Sequence, residues 1–565
     1  MVKATSNKSK SIRLLLLVLG VIALVNIGTR YLFYRIDLTA EKRYTLTPST
    51  KTILKNLDDY VYIKCYLQGD FPSGFKQLQI ATKEMLDELV SVGGKKVQYD
   101  FINPNDGNDA QKKAELRKQL EKKGINPINI NMQGEDNVKE QIIYPWCLVS
   151  YKDQEIPVFL LNQQLGKSSS EQLSNSEALL EYNLIDAITR LTRTKRKKVA
   201  ISEGNGELGD AQINDFVKTL SEDYDVARVD IQHILYIPEK IDALIIPKPT
   251  KAFPETEKFK IDQYIMNGGK VIWMVDMLDG DIDSLRRRNE YIAPDYPLNI
   301  DDQLFTYGAR VNKSLIQDAR CTPVPMVTGY LNNEPQTKYF PWMFNPVILP
   351  DGDHPIVKNM DAILTLFAST IDTVGAKDIR KTVLLRSSNE SRVVYSPALV
   401  SLRLLKLQPE KSYFTKPNQS VAVLLEGNFT SLFDNRLAPE TMEVMDSLHI
   451  QFKNKSAANK MIVIADGDMI KNPLGKKGLD YPCGYYPFTR QTFANKAFLL
   501  NCIEYLTDET GVIAARSKEV RLRLLDREKV KEEKGKWRWI NIALPIALLL
   551  IAGFLINFIR ERKFS

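Results

Sequence analysis

Histidine and cysteine are scarce in this chain, three and five among 565 residues. Their scarcity, and what is missing around them, removes several classes of chemistry. Cys65, Cys147, Cys321, Cys483 and Cys502 are widely spaced, odd in number and form no C-x-x-C pair. A disulfide framework, a zinc knuckle and a dithiol redox centre are therefore not indicated. None of His233, His354 and His449 lies near a Ser or Cys in a G-x-S-x-G-like elbow, which argues against a serine or cysteine hydrolase. No large excess of one charge is present either: 77 basic against 69 acidic residues give a formal +8. Several of the basic residues crowd the two ends, so no nucleic-acid footprint is indicated. Gly166-Lys167-Ser168 invites a phosphate-loop reading, but position 161 is Leu161 where that loop needs glycine. ATP hydrolysis by that route is excluded.

What is present is an ordinary folded composition, 44% hydrophobic and 26% charged, over a length that predicts two or three domains. Each end carries an apolar run. Residues 12–29 read IRLLLLVLGVIALVNIGT, with Lys3, Lys8 and Lys10 before it, Arg13 at its start, and Tyr31, Phe33 and Tyr34 after it. This pattern predicts an uncleaved membrane span over 12–34 with residues 1–11 in the cytoplasm, because basic residues favour the cytoplasmic side. Residues 540–559, INIALPIALLLIAGFLINFI, are uncharged and flanked by Trp537 and Trp539, and they predict a second span with a cytoplasmic tail at 560–565. Two spans place both termini on one side of the inner membrane and the bulk of the chain in the periplasm.

Between the spans, the pattern predicts a juxtamembrane segment at 35–50 and an N-terminal α/β domain at 51–192. That domain's strand and helix order is compatible with a thioredoxin-like layer. The basic run RLTRTKRKK at 190–198 marks a boundary. From 198 to 510 strands alternate with helices (VAIS, DVARVDI, DALIIPKP, KVIWMVDM), the signature of a doubly wound, mostly parallel sheet. Residues 280–345, rich in Asn, Pro and aromatics, read as an insertion, and 511–539 reads as a linker to the second span.

The candidate ligand-binding residues lie at predicted strand ends. Glu203, Gly204, Asn205, Gly206 and Glu207 leave the first strand of the central domain, where doubly wound sheets place ligands; two glycines in a tight turn explain the same residues. Gly204, Gly206 and Gly209 fit G-x-G-x-x-G, but no acidic ribose partner closes a following strand well, Asp230 being the nearest. Asp276, Asp466 and Asp468 also end strands and are predicted to gather with Glu203 and Glu207 around one cleft. Such carboxylates suit a sugar or cation ligand, or a carboxylate-dependent hydrolase, and caps and turns account for them as well. Asp279, Asp281, Asp283 and Glu290 have calcium-loop spacing, yet Ser284 stands where glycine is needed and basic residues follow, which favours a solvated loop. No catalytic residue, metal site or cofactor is assigned.

Four stretches together carry a family likeness: RIDLTAEKRYTLTPST after the first span, EGNGEL, NGGKVIWMVD, and NKAFLLNCIEYLTDETGVIAARSKEVRLRLLD before the last span. Across nearly the whole chain the sequence resembles the GldG family, auxiliary subunits of ABC transporters associated with gliding motility in Bacteroidota. The resemblance implies a glutamine-amidotransferase-like central fold, similar to a domain of an intraflagellar-transport subunit, for which carbohydrate binding has been proposed. It implies a non-enzymatic binding or assembly role beside a membrane permease and a separate cytoplasmic ATPase, with a protein or glycan-like periplasmic ligand. The family's glycine loop usually reads GHGE; Asn205 replaces the histidine, which argues against a mechanism needing imidazole there.

Overall fold

The computed structural model describes residues 15–22, 45–106, 110–133, 138–164, 166–286, 288–407, 409–437, 452–475, 481–518 and 527–564. They form a mixed α/β structure with several sheets. Residues up to Glu519 make one compact unit and Val520–Ser565 a second.

The first layer begins with α1 (Pro48–Lys55), where the Thr47 side chain caps the Thr50 N–H and Pro48 occupies the first turn, a position that has no intrahelical N–H bond to lose. β1 (Val61–Cys65) alternates buried and half-buried residues, as a strand with one face in a core must. It is followed by α2 (Ser73–Gly93), β2 (Val97–Phe101), β3 (Trp146–Tyr151), β4 (Gln154–Phe159) and α3 (Ser169–Thr192). The strands lie in the order β2-β1-β3-β4. β1 and β2 are parallel, while β3 runs antiparallel to β1, and β4 to β3. α2 and α3 bury Leu86, Leu89, Leu184 and Ile188 against Val61, Ile63 and Val149. The segment read as phosphate-loop-like is the start of α3: Ser168 caps Glu171 N and receives the Glu171 carboxylate in return, a capping box.

The second sheet has seven strands. Five of them, β5 (Lys197–Glu203), β6 (Tyr224–Asp230), β7 (Ala243–Pro247), β8 (Lys270–Met274) and a later strand of residues Lys455–Ile464, are mutually parallel. Between β8 and that later strand the chain supplies β9 (Ile379–Arg386) and β10 (Ser420–Thr430), and the later strand is β11. The spatial order is β9-β10-β11-β8-β7-β5-β6, with β10 antiparallel to both its neighbours. Counted along the chain, the parallel strands lie in the order 2-1-3-4-5, a doubly wound order whose switch point falls between β5 and β7.

Both faces are covered, and successive side chains alternate between two cores. Ile245, Ile272, Met274, Ile462 and Ile464 meet Ile213, Phe216 and Leu220 of α4 (Asp210–Leu220) and Phe498 and Leu506 of α6 (Asn495–Thr507). Leu244, Ile246, Val271, Trp273 and Val463 meet Ile261, Tyr264 and Ile265 of α5 (Glu255–Met266). This explains the near-continuous apolar runs in these strands.

The predicted insertion is larger than 280–345. Its small core joins Leu278, Leu285, Trp342 and Phe344 to Ala398, Val400 and Leu405, because the chain returns to it after β9; the change in composition marks only its first half. Residues 512–517, expected within a linker, form a 3₁₀ turn, Val512–Ser517. Val512, Ile513 and Ala515 are buried in the core of the first layer.

The second compact unit holds α7 (Arg527–Phe564), a helix of 38 residues with Pro545 inside it. Its Val530–Arg562 stretch is long and apolar enough to cross a membrane, and it starts well before the predicted span. The reason is local: REKVKEEK contains only good helix formers and Val, with Glu and Lys spaced for i,i+4 pairing. The span predicted at 12–34 falls mostly outside the described residues; residues 15–22 are helical with exposed side chains.

Candidate functional site

The predicted site residues fall into two neighbouring groups at the carboxyl end of the second sheet. The first is the loop after β5, beside the switch point. Gly204 and Gly206 have φ of 118° and 76°, and a Cβ on Gly206 would stand 2.2 Å from Thr250 Oγ1. Glycine is therefore required there by backbone conformation and by close approach. Asn205 is fully buried. Its carbonyl accepts from Thr250 N and Lys251 N, each at 2.9 Å, and its amide donates to Glu257 Oε2 at 2.6 Å. Asn205 thus points inward and ties the loop to the first turn of α5. Glu207 accepts from Ser202 Oγ at 2.8 Å and from Asn205 N at 2.7 Å. Burial raises its pKa above the ordinary glutamate value, and these hydrogen bonds oppose the rise. Glu203 is exposed at the end of β5.

The second group gathers Asp276, Asp466 and Asp468 from the ends of β8 and β11 around a residue the sequence reading missed, Lys248, just past β7. Lys248 Nζ lies 3.0 Å from Asp276 Oδ2 and 2.5 Å from Asp468 Oδ2, with the lysine side chain 14% exposed and the two carboxylates 5% and 8%. Asp276 Oδ1 also accepts from Gly467 N at 2.7 Å. Asp466 accepts from Asp468 N and Leu366 N, both at 2.9 Å. Gly467 lies directly against the lysine stem; a Cβ there would stand 2.7 Å from Lys248 Cβ.

The electrostatics divide the three carboxyls. Burial works against ionisation of Asp468, but Lys248 and then Lys471 outweigh it and hold its pKa below the usual aspartate value. Asp276 is raised by burial, which Lys248 only partly offsets. Asp466 is raised far above the ordinary range by burial and by the charges of Asp276 and Asp468. Lys248 stays protonated, the two aspartates outweighing its burial. The cluster is one ammonium shared by Asp276 and Asp468, with the second oxygen of Asp276 and both oxygens of Asp466 accepting from backbone N–H groups and the second oxygen of Asp468 3.5 Å from Lys471 Nζ.

No hydrogen bond or ion pair among the described residues links Glu203 or Glu207 to this cluster. The loops that carry the two groups are joined by Leu208 N donating to Pro247 O at 3.1 Å and Thr250 Oγ1 donating to Gly206 O at 3.0 Å. The signal that would have found Lys248 is present in the sequence: ALIIP is a buried strand that runs on to a lysine where the parallel strands β8 and β11 run on to Asp276 and Asp466.

Other candidates resolve into local structure. Asp281 caps Asp283 N and Ser284 N at 3.0 and 3.1 Å, and Asp279 accepts from Tyr296 OH at 2.8 Å; among the described residues no acidic, His or Cys cluster suits a metal ion. A cavity of about 1040 Å³ opens at the opposite, amino end of β7 and β8, lined by Tyr236, Phe259, Lys260, Tyr264, Lys270 and Lys453 among others.

Comparison with known proteins places this geometry in context. A family model described as an ABC-type uncharacterized transport system matches residues 196–502, more than half of the chain. A model of a domain of unknown function matches residues 40–150. An uncharacterized protein of Borreliella burgdorferi is 22% identical over 569 residues, covering 99% of each chain. Among solved structures, the mmIFT52 N-terminal domain is 13% identical, with a TM-score of 0.30, over 55% of this chain and 97% of that one. The exo-beta-1,4-mannosidase Op5Man5 from Opitutaceae bacterium strain TAV5 is 10% identical, with a TM-score of 0.19, over 61% of this chain and 40% of that one. At those TM-scores neither structure carries an argument about fold or activity.

Proposed function

This chain belongs to the family described as an ABC-type uncharacterized transport system, and from that premise we propose that it is a non-catalytic, membrane-anchored auxiliary subunit of a transporter. The family implies partnership with transporter components. In the finer reading these are a membrane permease and a separate cytoplasmic ATPase, and the complex serves gliding motility or secretion. The chain is anchored twice in the inner membrane, with both termini cytoplasmic, and its α/β domains bind a protein or glycan-like ligand in the periplasm. The first layer, 51–192, is read as thioredoxin-like on the order β2-β1-β3-β4, and the central domain, 198–510, as a degenerate amidotransferase-like fold. The ligand-binding surface is assigned to the strand-end loops that carry Glu203–Glu207, Asp276, Asp466 and Asp468.

The observation that carries the non-catalytic part is the Lys248 cluster. A carboxylate-dependent hydrolase needs one acid and one base free to exchange protons with substrate and water. Here the Asp276 and Asp468 carboxylates are engaged by a buried ammonium, and the Asp466 oxygens by backbone N–H groups. Such a network holds three strand ends and their loops in one arrangement, as a binding platform requires.

Extraction of the full chain in mild detergent after crosslinking, followed by quantitative mass spectrometry, tests the assignment. Enrichment of a permease and an ATPase over a control membrane protein is the expected outcome; enrichment of neither contradicts it.

A further inference from the structure

Two of the scarce cysteines lie opposite one another. Cys65 on β1 is in register with Cys147 on β3. The Cys65 carbonyl is turned away from β3 and accepts from Ile102 N, just past β2, at 2.8 Å. The next residues along the ladder make the inter-strand bond instead, Tyr66 N donating to Trp146 O at 2.9 Å. In an antiparallel ladder that alternation makes Cys65 and Cys147 a non-hydrogen-bonded pair, whose Cα atoms stand about 4.5 Å apart. A disulfide bridges Cα separations of about 4.4–6.8 Å. Residues opposed in this way project from the same sheet face. Both side chains are fully buried in one apolar core. The other three cysteines have no such arrangement: Cys321 faces Pro346, and Cys483 and Cys502 lie outside strands.

We propose that Cys65 and Cys147 form an intramolecular cross-strand disulfide when the chain folds in an oxidising compartment. Its occurrence in the cell rests on the periplasmic placement proposed above, since stable disulfides belong to such compartments. The oxidant is a disulfide of the thiol–disulfide oxidoreductase or oxidised-glutathione class. One cysteine loses its proton and its thiolate attacks a sulfur of that disulfide, forming a mixed disulfide and expelling a thiolate. The second cysteine, also deprotonated, attacks the first cysteine's sulfur and expels the oxidant's other thiolate. Two electrons pass to the oxidant, and the two protons lost by the cysteines balance those its thiolates take up.

Burial sets the order of events. The neighbouring Cys65 thiol and then burial push the Cys147 thiol far above its ordinary value, so the folded dithiol is a poor nucleophile. Exchange therefore precedes closure of α2 and α3 over the sheet. Once formed, the bond is shielded from reductants.

The test uses the full chain in its native membranes. Proteins are acid-quenched and denatured, and free thiols are tagged with a maleimide polymer before or after reduction. Three tags before reduction and five after are expected, with peptide mapping placing the link between Cys65 and Cys147 at a mass lower by two hydrogens. Cys147→Ser is expected to carry four tags without reduction. A link between any other pair overturns the proposal. A second arm unfolds the purified chain under reductant and refolds it in a glutathione redox buffer. Five tags before reduction in both arms overturns the proposal. Five in membranes but three after oxidative refolding upholds the cysteine pairing and contradicts the periplasmic placement instead.

Discussion

Lys248 is the residue on which the strand-end cluster depends, since it is the only ammonium within 3.0 Å of both Asp276 and Asp468 among the described contacts. Lys248→Met leaves at least one buried carboxylate without its counter-charge, and breaking a buried pair from one side costs about 3–5 kcal/mol. Denaturant unfolding of the variant is expected to show a loss of that order. Adding Asp468→Asn to it is expected to recover a substantial part, because the stranded charge is then gone. A second buried group gives a pH signature. Glu504 accepts from Tyr182 OH at 2.5 Å, and its pKa is raised from 4.5 to about 8 by burial and by Asp186, itself raised to about 6 by burial. A carboxyl whose folded pKa lies above its unfolded value stabilises the fold fully below the unfolded value and loses that contribution as pH rises through the folded one. Thermal midpoints are expected to fall between pH 4.5 and about 8, and Glu504→Gln is expected to flatten that slope. Asp276, Asp466 and Asp468 were legible in the sequence because each follows an apolar run at a strand end. Lys248 was not, because a lysine after a strand reads as solvated until the aspartates opposite it are placed. That the Asn205 amide turns inward to Glu257 is likewise not legible in the local sequence.

At the scale of elements, the parallel strands were legible because each is a short apolar run covered on both faces, and Gly268 ends α5 with φ of 95°, as its place after the helix predicts. Segments whose partners are remote in sequence were not. Val512–Ser517 follows a helix of the central domain but packs in the core of the first layer, and no periodicity in six residues announces that. Lys518 extends the same attachment, pairing with the fully buried Glu181 of α3 and donating to Thr45 O at 2.6 Å. Ile513→Ala in the full chain removes a fully packed side chain and is expected to cost about 2–5 kcal/mol. Hydrogen exchange is expected to localise the loss to α3 and the first layer; a loss confined to α6 and the second sheet would contradict that packing.

For the whole molecule, membership of a transport-system family and one described helix fit to cross a membrane set the frame. Anchoring at either end, a periplasmic body and docking beside a permease belong to the proposal. Hydropathy made the C-terminal span legible but not its length, because the charged turns before it continue the helix from Arg527. At about 1.5 Å per residue, α7 is roughly twice the length needed for a hydrocarbon core of about 30 Å. In the proposed anchor its first turns therefore extend beyond the apolar layer. The measurement that tests the auxiliary-subunit reading most directly is photocrosslinking from the apolar part of α7, with a photoreactive residue replacing Leu549 or Phe554 in turn in the full-length chain. Crosslinks from at least one position to a multi-pass permease are predicted. Crosslinks from both positions to lipid alone, with no protein partner captured, would contradict a docked transporter subunit.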